Sequence, residues 1–426
     1  MRISTSMQYR NHLSYLQTAN SRVDQASMQY NTGKLFQTAG ENPGGMSASM
    51  KYESDIASYK QYGLNAKIVA DALSQEETAL GQIYETMSSI QTRLIQAVNG
   101  TLDDGSRAAL AEDIKQAQAQ LFNTMNTKNA EGEYIFSGAQ SSIPTYKLTS
   151  DGKYICQADG SSKNVNVSPN LTVQTTDSGL NIFENVHLAA DFNATAKNQA
   201  GNATNYQSSI SDYDQFNAFY AKHYNSGVNG KDPDPALNTF KIKVGADGKF
   251  QLTDNANPAN VLQEGEVKDG KIIVEGMEFE VPGGTPQNGD EISIVLDKPR
   301  SDNILNQLTD IINALNTPID NADPADVTAL RAQLTRDIVK MQENLNISKK
   351  QVDTYRGLVG ARGANIDDII KSNESLHDIK KEANANVSEI DAFEAVSNLL
   401  VTQNALQVAQ QSYNIVHSTS LFDFMR

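Results

Sequence analysis

The chain has 426 residues with 51 acidic and 35 basic side chains, a formal net charge of −16 at pH 7. At about 100–200 residues per domain this length holds two to four domains, and the acid excess excludes a nucleic-acid surface or an anionic-membrane partner, both of which need clustered Lys and Arg. No Trp and an aromatic content of 7% suit long helices with narrow apolar seams better than one thick core.

The opening MRISTSMQYRNHLSYL lacks the apolar stretch and small-residue cleavage site of a secretory signal, so any export is expected to remove no signal peptide. Ser4, Thr5 or Ser6 can cap a first helix. Along it Tyr9, Leu13, Leu16, Val23 and Tyr30, with Asn20 and Ser27 between them, follow the alternating four-and-three spacing of a coiled-coil seam. Only Arg22 and Asp24 are charged between Asn11 and Gly33.

After the breaker TAGENPGG a longer pattern begins: Tyr52, Ile56, Tyr59, Gly63, Ala66, Ala70, Leu73, Glu77, Leu80, Tyr84, Met87, Gln91, Leu94, Val98. It predicts a helical rod about 75–80 Å long. Asn99-Gly100 and Asp103-Asp104-Gly105 turn the chain, and Leu110, Ile114, Ala117 and Leu121 mark a shorter returning helix. From Tyr134 the period changes to two. YIFSG, YKLTSDGKYICQA, VNVSPNLTVQT, FKIKVGADGKFQLTD and KDGKIIVEGMEFEVPGGTPQNGDEISIVL read as strands joined by tight turns. Residues 191–235 are polar and without a clear period, apart from a short helix at DYDQFNAFYAKHY. Helix returns at Asp302 with Ile304, Leu305, Leu308, Ile312 and Leu315, and Asp323-Pro324 starts another as N-cap and first helical residue. That one carries Leu334, Ile338, Met341, Leu345, Val352, Tyr355, Val359, Ile366, Ile369 and Leu376 on one face. The last pattern is Leu399, Thr402, Leu406, Ala409, Tyr413, Val416.

The expected fold is therefore α+β, mainly α: long antiparallel helical rods formed by both chain ends, with a β-rich insert between them. Chemistry is hard to place on it. His12, His187, His223, His377 and His417 are scattered, with no HExxH arrangement or pair four residues apart. GLVGARG at 357–363 imitates a phosphate loop but lies inside a helical pattern and lacks the following Lys-Ser or Lys-Thr. The single cysteine, Cys156, can form no internal disulfide and reads as a small packed residue. No catalytic, cofactor or metal residues are expected.

The end of the chain is different. From Ala395 to Phe422 there is no Asp, Glu, Lys or Arg, while 13 of these 28 residues are Gln, Asn, Ser or Thr. So many amides and hydroxyls rule against a membrane span, yet a helix without charges expects neighbours on most sides. The reading is that both ends order when several copies pack side by side. An ordinary intramolecular bundle helix is the alternative.

MRISTSMQYR, the TGK at 32–34, NGTLDDGSRAALAEDI at 99–114, NAEGEYIFSG at 129–138, VGARGANID at 359–367 and the terminal SLFDFMR resemble the flagellin superfamily. Within it they are most similar to the hook-filament junction family, a resemblance that covers about 1–145 and 300–426. Where relatives carry Asp-Asp-Pro after the TGK segment, this chain has Glu41, Asn42 and Pro43. The resemblance implies an inner-tube domain from 1–42 plus 385–426, a rod domain from 43–145 plus 298–384, and one or two β-rich outer domains in 146–297. It also implies a non-enzymatic structural adaptor in the extracellular flagellum, secreted through the flagellar type III export apparatus with the help of a cytoplasmic export chaperone. The adaptor would form a homo-oligomeric ring, with hook-associated protein 1 on the hook side and the flagellin filament on the distal side. The expected assembly residues are Leu13, Leu16, Val23, Leu399, Leu406, Tyr413 and Val416, with Leu421 and Phe422 as a terminal anchor. A filament-forming flagellin is the near alternative, and a surface adhesin with a binding β insert the distant one.

Overall fold

Pro-Gly-Gly at 43–45 shows how the chain enters its first rod. A computed structural model of the protein describes residues 5–99, 102–227, 234–320 and 322–424, with the side chains of 5, 6, 324, 325 and 416–424 outside the description. Helix α1 (Thr5–Thr32) ends at Gly33, whose φ of +68° suits a residue without Cβ. In α2 (Pro43–Ala97) Pro43 occupies the first helical position, where its missing N–H is no loss. The Gly45 backbone N–H donates to Asn42 Oδ1 at 2.9 Å, so Asn42 caps the helix. A Cβ on Gly45 would lie 2.7 Å from the buried Phe36 ring, so the second glycine is required by packing.

The next elements are α3 (Asp104–Met125), β1 (Tyr146–Leu148), β2 (Tyr154–Cys156), β3 (Asn164–Ser168) and β4 (Leu171–Gln174). A π-helical turn at Leu180–Glu184 follows, then β5 (Phe192–Lys197), β6 (Ala203–Thr204), β7 (Gln207–Ile210) and α4 (Tyr213–His223). The remaining strands are β8 (Thr239–Val244), β9 (Lys249–Asp254), β10 (Val261–Glu266), β11 (Lys271–Val274), β12 (Met277–Glu280) and β13 (Glu291–Leu296). Helices α5 (Ile304–Leu315), α6 (Pro324–Ser388) and α7 (Ala392–Phe424) complete the chain. The expected α+β, mainly α class is what the structure has. Among the described residues no helix is long and apolar enough to cross a membrane.

The chain divides into two units, and α2 and α6 contribute to both. The first holds residues 1–70, 165–173 and 364–426. Here α1 and α7 run antiparallel: the Ile390 backbone N–H donates to Gly33 O at 2.9 Å at one end, and Tyr413 meets Tyr9 at the other. The α2 and α6 stretches of this unit are also antiparallel, linked by Ser49 to Asn384 at 2.8 Å, Lys380 to Asp55 at 2.9 Å and Lys67 to Glu374 at 3.3 Å. The β3–β4 hairpin is fastened by Asn373, whose Nδ2 donates to Val167 O at 2.8 Å, and by Asn65 donating to Asn166 O at 2.8 Å.

The second unit holds residues 71–164 and 174–363. Its β-rich part has a six-stranded antiparallel sheet in the order β10-β9-β8-β13-β5-β6 and a three-stranded sheet in the order β11-β12-β7. Alternation sets their inner faces: Phe240, Ile242 and Val244 of β8 and Ile292, Ile294 and Leu296 of β13 point into one core. Phe216 and Phe219, three apart on α4, join it, and Phe192 packs against Phe279 with ring centroids 5.7 Å apart. The β11–β12 turn uses Glu275 and Gly276, both at positive φ, as a two-residue hairpin requires.

Three expectations change. YIFSG is not a strand: Tyr134 makes one isolated bridge, and Ile135, Phe136, Ser137 and Gly138 are all buried in successive turns, so no alternating face exists. The polar stretch after residue 191 contributes β5, β6 and β7, and residues 261–266 form β10; small or polar side chains such as those of Phe-Asn-Ala-Thr-Ala-Lys hide the period. The α2 seam is also shifted. Ala66, Val69, Leu73, Glu76, Leu80, Ile83, Met87, Ile90, Leu94 and Ala97 are buried, whereas Glu77 is exposed. Positions seven apart are common to both readings. The alternate positions lie one residue earlier, where Val69, Ile83 and Ile90 bury more apolar surface than Ala70, Tyr84 and Gln91 would.

Phe279→Ala is expected to destabilise the β-rich core by about 3–5 kcal/mol, read as faster hydrogen exchange throughout β8, β12 and β13 with α1 and α7 unchanged.

Candidate assembly interface

The α1–α7 pair is the place where sequence pattern and exposed apolar surface coincide. Among the described residues of α7 those at least partly buried are Ala395, which extends the expected series, and Leu399, Thr402, Leu406, Ala409 and Tyr413, the expected four-and-three members. On α1 they include His12, Leu16, Ala19, Val23 and Ala26. Leu16 and Val23 were expected in this seam. Leu13 and Asn20 were too, but His12 and Ala19 take their alternate positions, with Leu13 38% exposed; Ala26 is buried beside a partly buried Ser27.

Predicted residues thus fall into three groups. Leu16, Val23, Leu399, Leu406 and Tyr413 are brought together as half-buried members of one antiparallel seam. Leu13 stands outside it. Val416, Leu421 and Phe422 belong to α7 by backbone, but their side chains lie outside the described residues, as does Ser4, one of the expected caps.

This seam is thin. Ala26 is the only buried apolar residue described on α1, and Ala395 the only one on α7. The far end is closed by the Tyr413 hydroxyl donating to the Tyr9 hydroxyl at 3.0 Å, with ring centroids 5.9 Å apart. That hydrogen bond is the main reason the Tyr413 hydroxyl titrates above its ordinary range.

Several described residues of α7 outside the seam are apolar and exposed. Val401, Val408 and Ile415, spaced by sevens, are 63%, 61% and 64% exposed, and Phe393 and Leu400, also seven apart, are exposed beside them. Two turns of helix bring such positions nearly back to one side, so they form flanking stripes away from the seam. On α1, Met7, Tyr15 and Met28 are exposed singly, without such a repeat, and Tyr30, expected in the seam, is 51% exposed. The exposed α7 residues are the ones the single-seam reading missed. Their signal was a second seven-residue repeat beside the first, in a stretch already free of charge.

Nothing comparable marks a reactive centre. Among the described residues no group of three or more His, Cys, Asp or Glu side chains is arranged to hold a metal ion. GLVGARG lies within α6, as expected of a helical segment. Cys156 is half-buried in β2, and burial pushes its thiol above its ordinary range.

Paired chain-end helices, long rods and a β-rich segment between them are the architecture on which the comparisons bear. Residues 3–141 match the bacterial flagellin N-terminal helical region. It is similar to flagellar hook-associated protein 3 of Escherichia coli K12, 29% identical over 186 residues, or 44% of this chain and 58% of that protein. The protein of the same name from Salmonella typhimurium LT2 is 30% identical over 152 residues, 36% of this chain and 48% of the other. The chain thus spans about half the length of these curated relatives. In fold it resembles crystal structures of FlgL from Xanthomonas campestris, with a TM-score of 0.57, and of the flagellar junction protein FlgL from Legionella pneumophila, with a TM-score of 0.54. Both are 20% identical; the first covers 78% of this chain and 99% of its own, the second 80% and 99%.

Because α1 and α7 bury so little, their amides are expected to exchange with solvent far faster in a verified monomer than those of residues 79–94 in α2. Equal protection would show that the pair is held within one chain as firmly as the rod.

Proposed function

We propose that this chain is a non-catalytic structural adaptor of the bacterial flagellum that assembles as a ring at the hook-filament junction. The observation that carries the reading is the outward apolar surface of α7, Val401, Val408 and Ile415 with Phe393 and Leu400, on a helix without charge from Ala395 to Phe422. On this reading the surface is covered by other copies, and the amides and hydroxyls around it hydrogen-bond between subunits. The names of the hook-associated and junction relatives support the choice of position within the flagellum.

The division follows. Residues 1–42 and 385–426 form the inner assembly domain, 43–145 and 298–384 the rod domain, and 146–297 the outward β-rich part. The subunit is extracellular, delivered by the flagellar type III export apparatus without a cleaved signal peptide and held before export by a cytoplasmic chaperone. Hook-associated protein 1 lies on its hook side and the flagellin filament on its distal side. The half-buried seam residues Leu16, Val23, Leu399, Leu406 and Tyr413 align α1 with α7, while the exposed stripes make the contacts between copies.

Two substitutions test these separate roles. Val408→Asp is expected to leave the monomer's helix content and β-core stability unchanged while abolishing assembly and filament attachment, since an ionised side chain would be buried without a partner. Leu406→Asp should separate α1 from α7 as well, lowering helix content in the monomer. Normal filament attachment by Val408→Asp would overturn the reading. Purified subunits should stop at a thin layer that needs its partners; long tubes formed alone would indicate a filament flagellin. Deletion of 146–297 should retain assembly, and loss of surface binding without a motility defect would indicate an adhesin.

A further inference from the structure

The shifted seam of α2 buries a carboxyl group. Glu76 is 0% exposed, and its environment within the second unit is narrowly defined. One carboxyl oxygen accepts the Asp177 backbone N–H at 2.9 Å; the other, Oε2, is sealed from solvent and has no partner. The charged groups acting on it are Asp177 on the segment after β4 and Arg362 on α6; Tyr355 on α6 faces Asp177 and Arg362 in turn. Arg362 is already engaged: its guanidinium pairs with the Asp177 carboxylate and also donates to Gln174 O at 3.5 Å. Gln174 Nε2 donates to the other Asp177 oxygen at 2.6 Å. An ionised Glu76 would therefore be desolvated beside a like charge whose cation is already shared.

We propose that Glu76, Asp177 and Arg362 form a proton-dependent clasp, which fastens the segment Gln174–Glu184 to α2 and α6 while Glu76 is protonated and releases it when Glu76 ionises. The segment has much to release. Thr175, Asp177 and Ser178 are buried, Ile182 and Phe183 enter the core, and Gln351 of α6 donates to Asn181 O at 3.2 Å. Opening lets water reach Glu76 and separates it from Asp177.

Burial first, and the Asp177 charge second, push Glu76 up to about 8. The sign follows from linkage: a carboxyl whose closed-state value is raised retains a proton that the open state loses, so rising pH favours opening. The effect accumulates from about pH 5 to about pH 8 and levels off above it, at up to about tenfold in the opening constant per pH unit. Groups with lowered carboxyl values act below this window; Glu184, at the end of the same segment and raised mainly by burial, acts in the same direction as Glu76, and His223, lowered mainly by burial, acts in the opposite direction near the lower edge.

The test is hydrogen exchange of the full-length protein from pH 5.5 to 9, corrected for intrinsic amide rates. In the wild type, protection of residues 174–184 should fall by up to about tenfold per pH unit until about pH 8, while residues 83–94 of α2 stay protected. Glu76→Gln, which keeps the shape and the accepted Asp177 N–H, should remove the slope up to about pH 8 and leave only the Glu184 contribution. A flat wild-type profile overturns the clasp whether or not the variant folds. An unchanged slope in Glu76→Gln overturns it also, and so does parallel loss of protection in residues 83–94, which would make the charge a term in global stability alone.

Discussion

A single apolar stripe, one or two side chains wide, holds each long helix of this protein in place. A helix of 55 residues such as α2 has no globular core to enter; its stability comes from side chains placed three and four apart and covered by neighbours. Ala66, Val69, Leu73, Leu80, Ile83, Ile90 and Leu94 are all at 2% exposure or less. The β-rich segment depends on this constraint too, because its chain leaves the helical part after α3 and re-enters it at α5. Those helices pack together, with Gln118 of α3 donating to Leu305 O of α5 at 2.7 Å.

The same stripe is weaker at the ends of the chain. Along α1 and α7 the seam keeps its spacing but loses its bulk, with alanines where the rod has Leu and Ile. An Ala buries far less apolar area than a Leu, at about 25 cal/mol per Å². The alanine seam also allows close approach of the two helices. What these helices lack inside they carry outside, in Val401, Val408 and Ile415. A surface of this composition on helices with so few charges is consistent with a subunit whose terminal helices become fully covered only among other copies.

Much of this was legible in the sequence because helical periodicity is a property of the chain itself. The seam of α7 was readable residue by residue, from Leu399 to Tyr413, and the Asp323-Pro324 start of α6 was readable from capping chemistry. The exact phase of α1 and α2 was less so. A seven-residue repeat allows two positions for every second member, and only packing decides between Leu13 and His12, or between Glu77 and Glu76. Polar strands were hidden for a related reason: β7 is Gln-Ser-Ser-Ile, and its strand state is fixed by pairing with β12, distant in sequence.

The buried polar residues of the rods share one arrangement. Asn373 on α6 donates to the backbone of Val167, Asn344 on α6 accepts the Ala189 backbone N–H at 2.8 Å, and Glu76 on α2 accepts that of Asp177. Each bond joins a seam position to the backbone of a non-helical segment, which would otherwise bury an unpaired N–H or C=O at a cost of about 1–3 kcal/mol. An apolar residue at any of these positions would pack well against another helix and leave that backbone group without a partner. The interruptions in the stripe are therefore where the rods fasten the inserted chain, and they also set its register, because sliding either helix by one residue breaks the bond. Among the three, Glu76 alone can change its charge, which makes that attachment the one whose strength depends on pH.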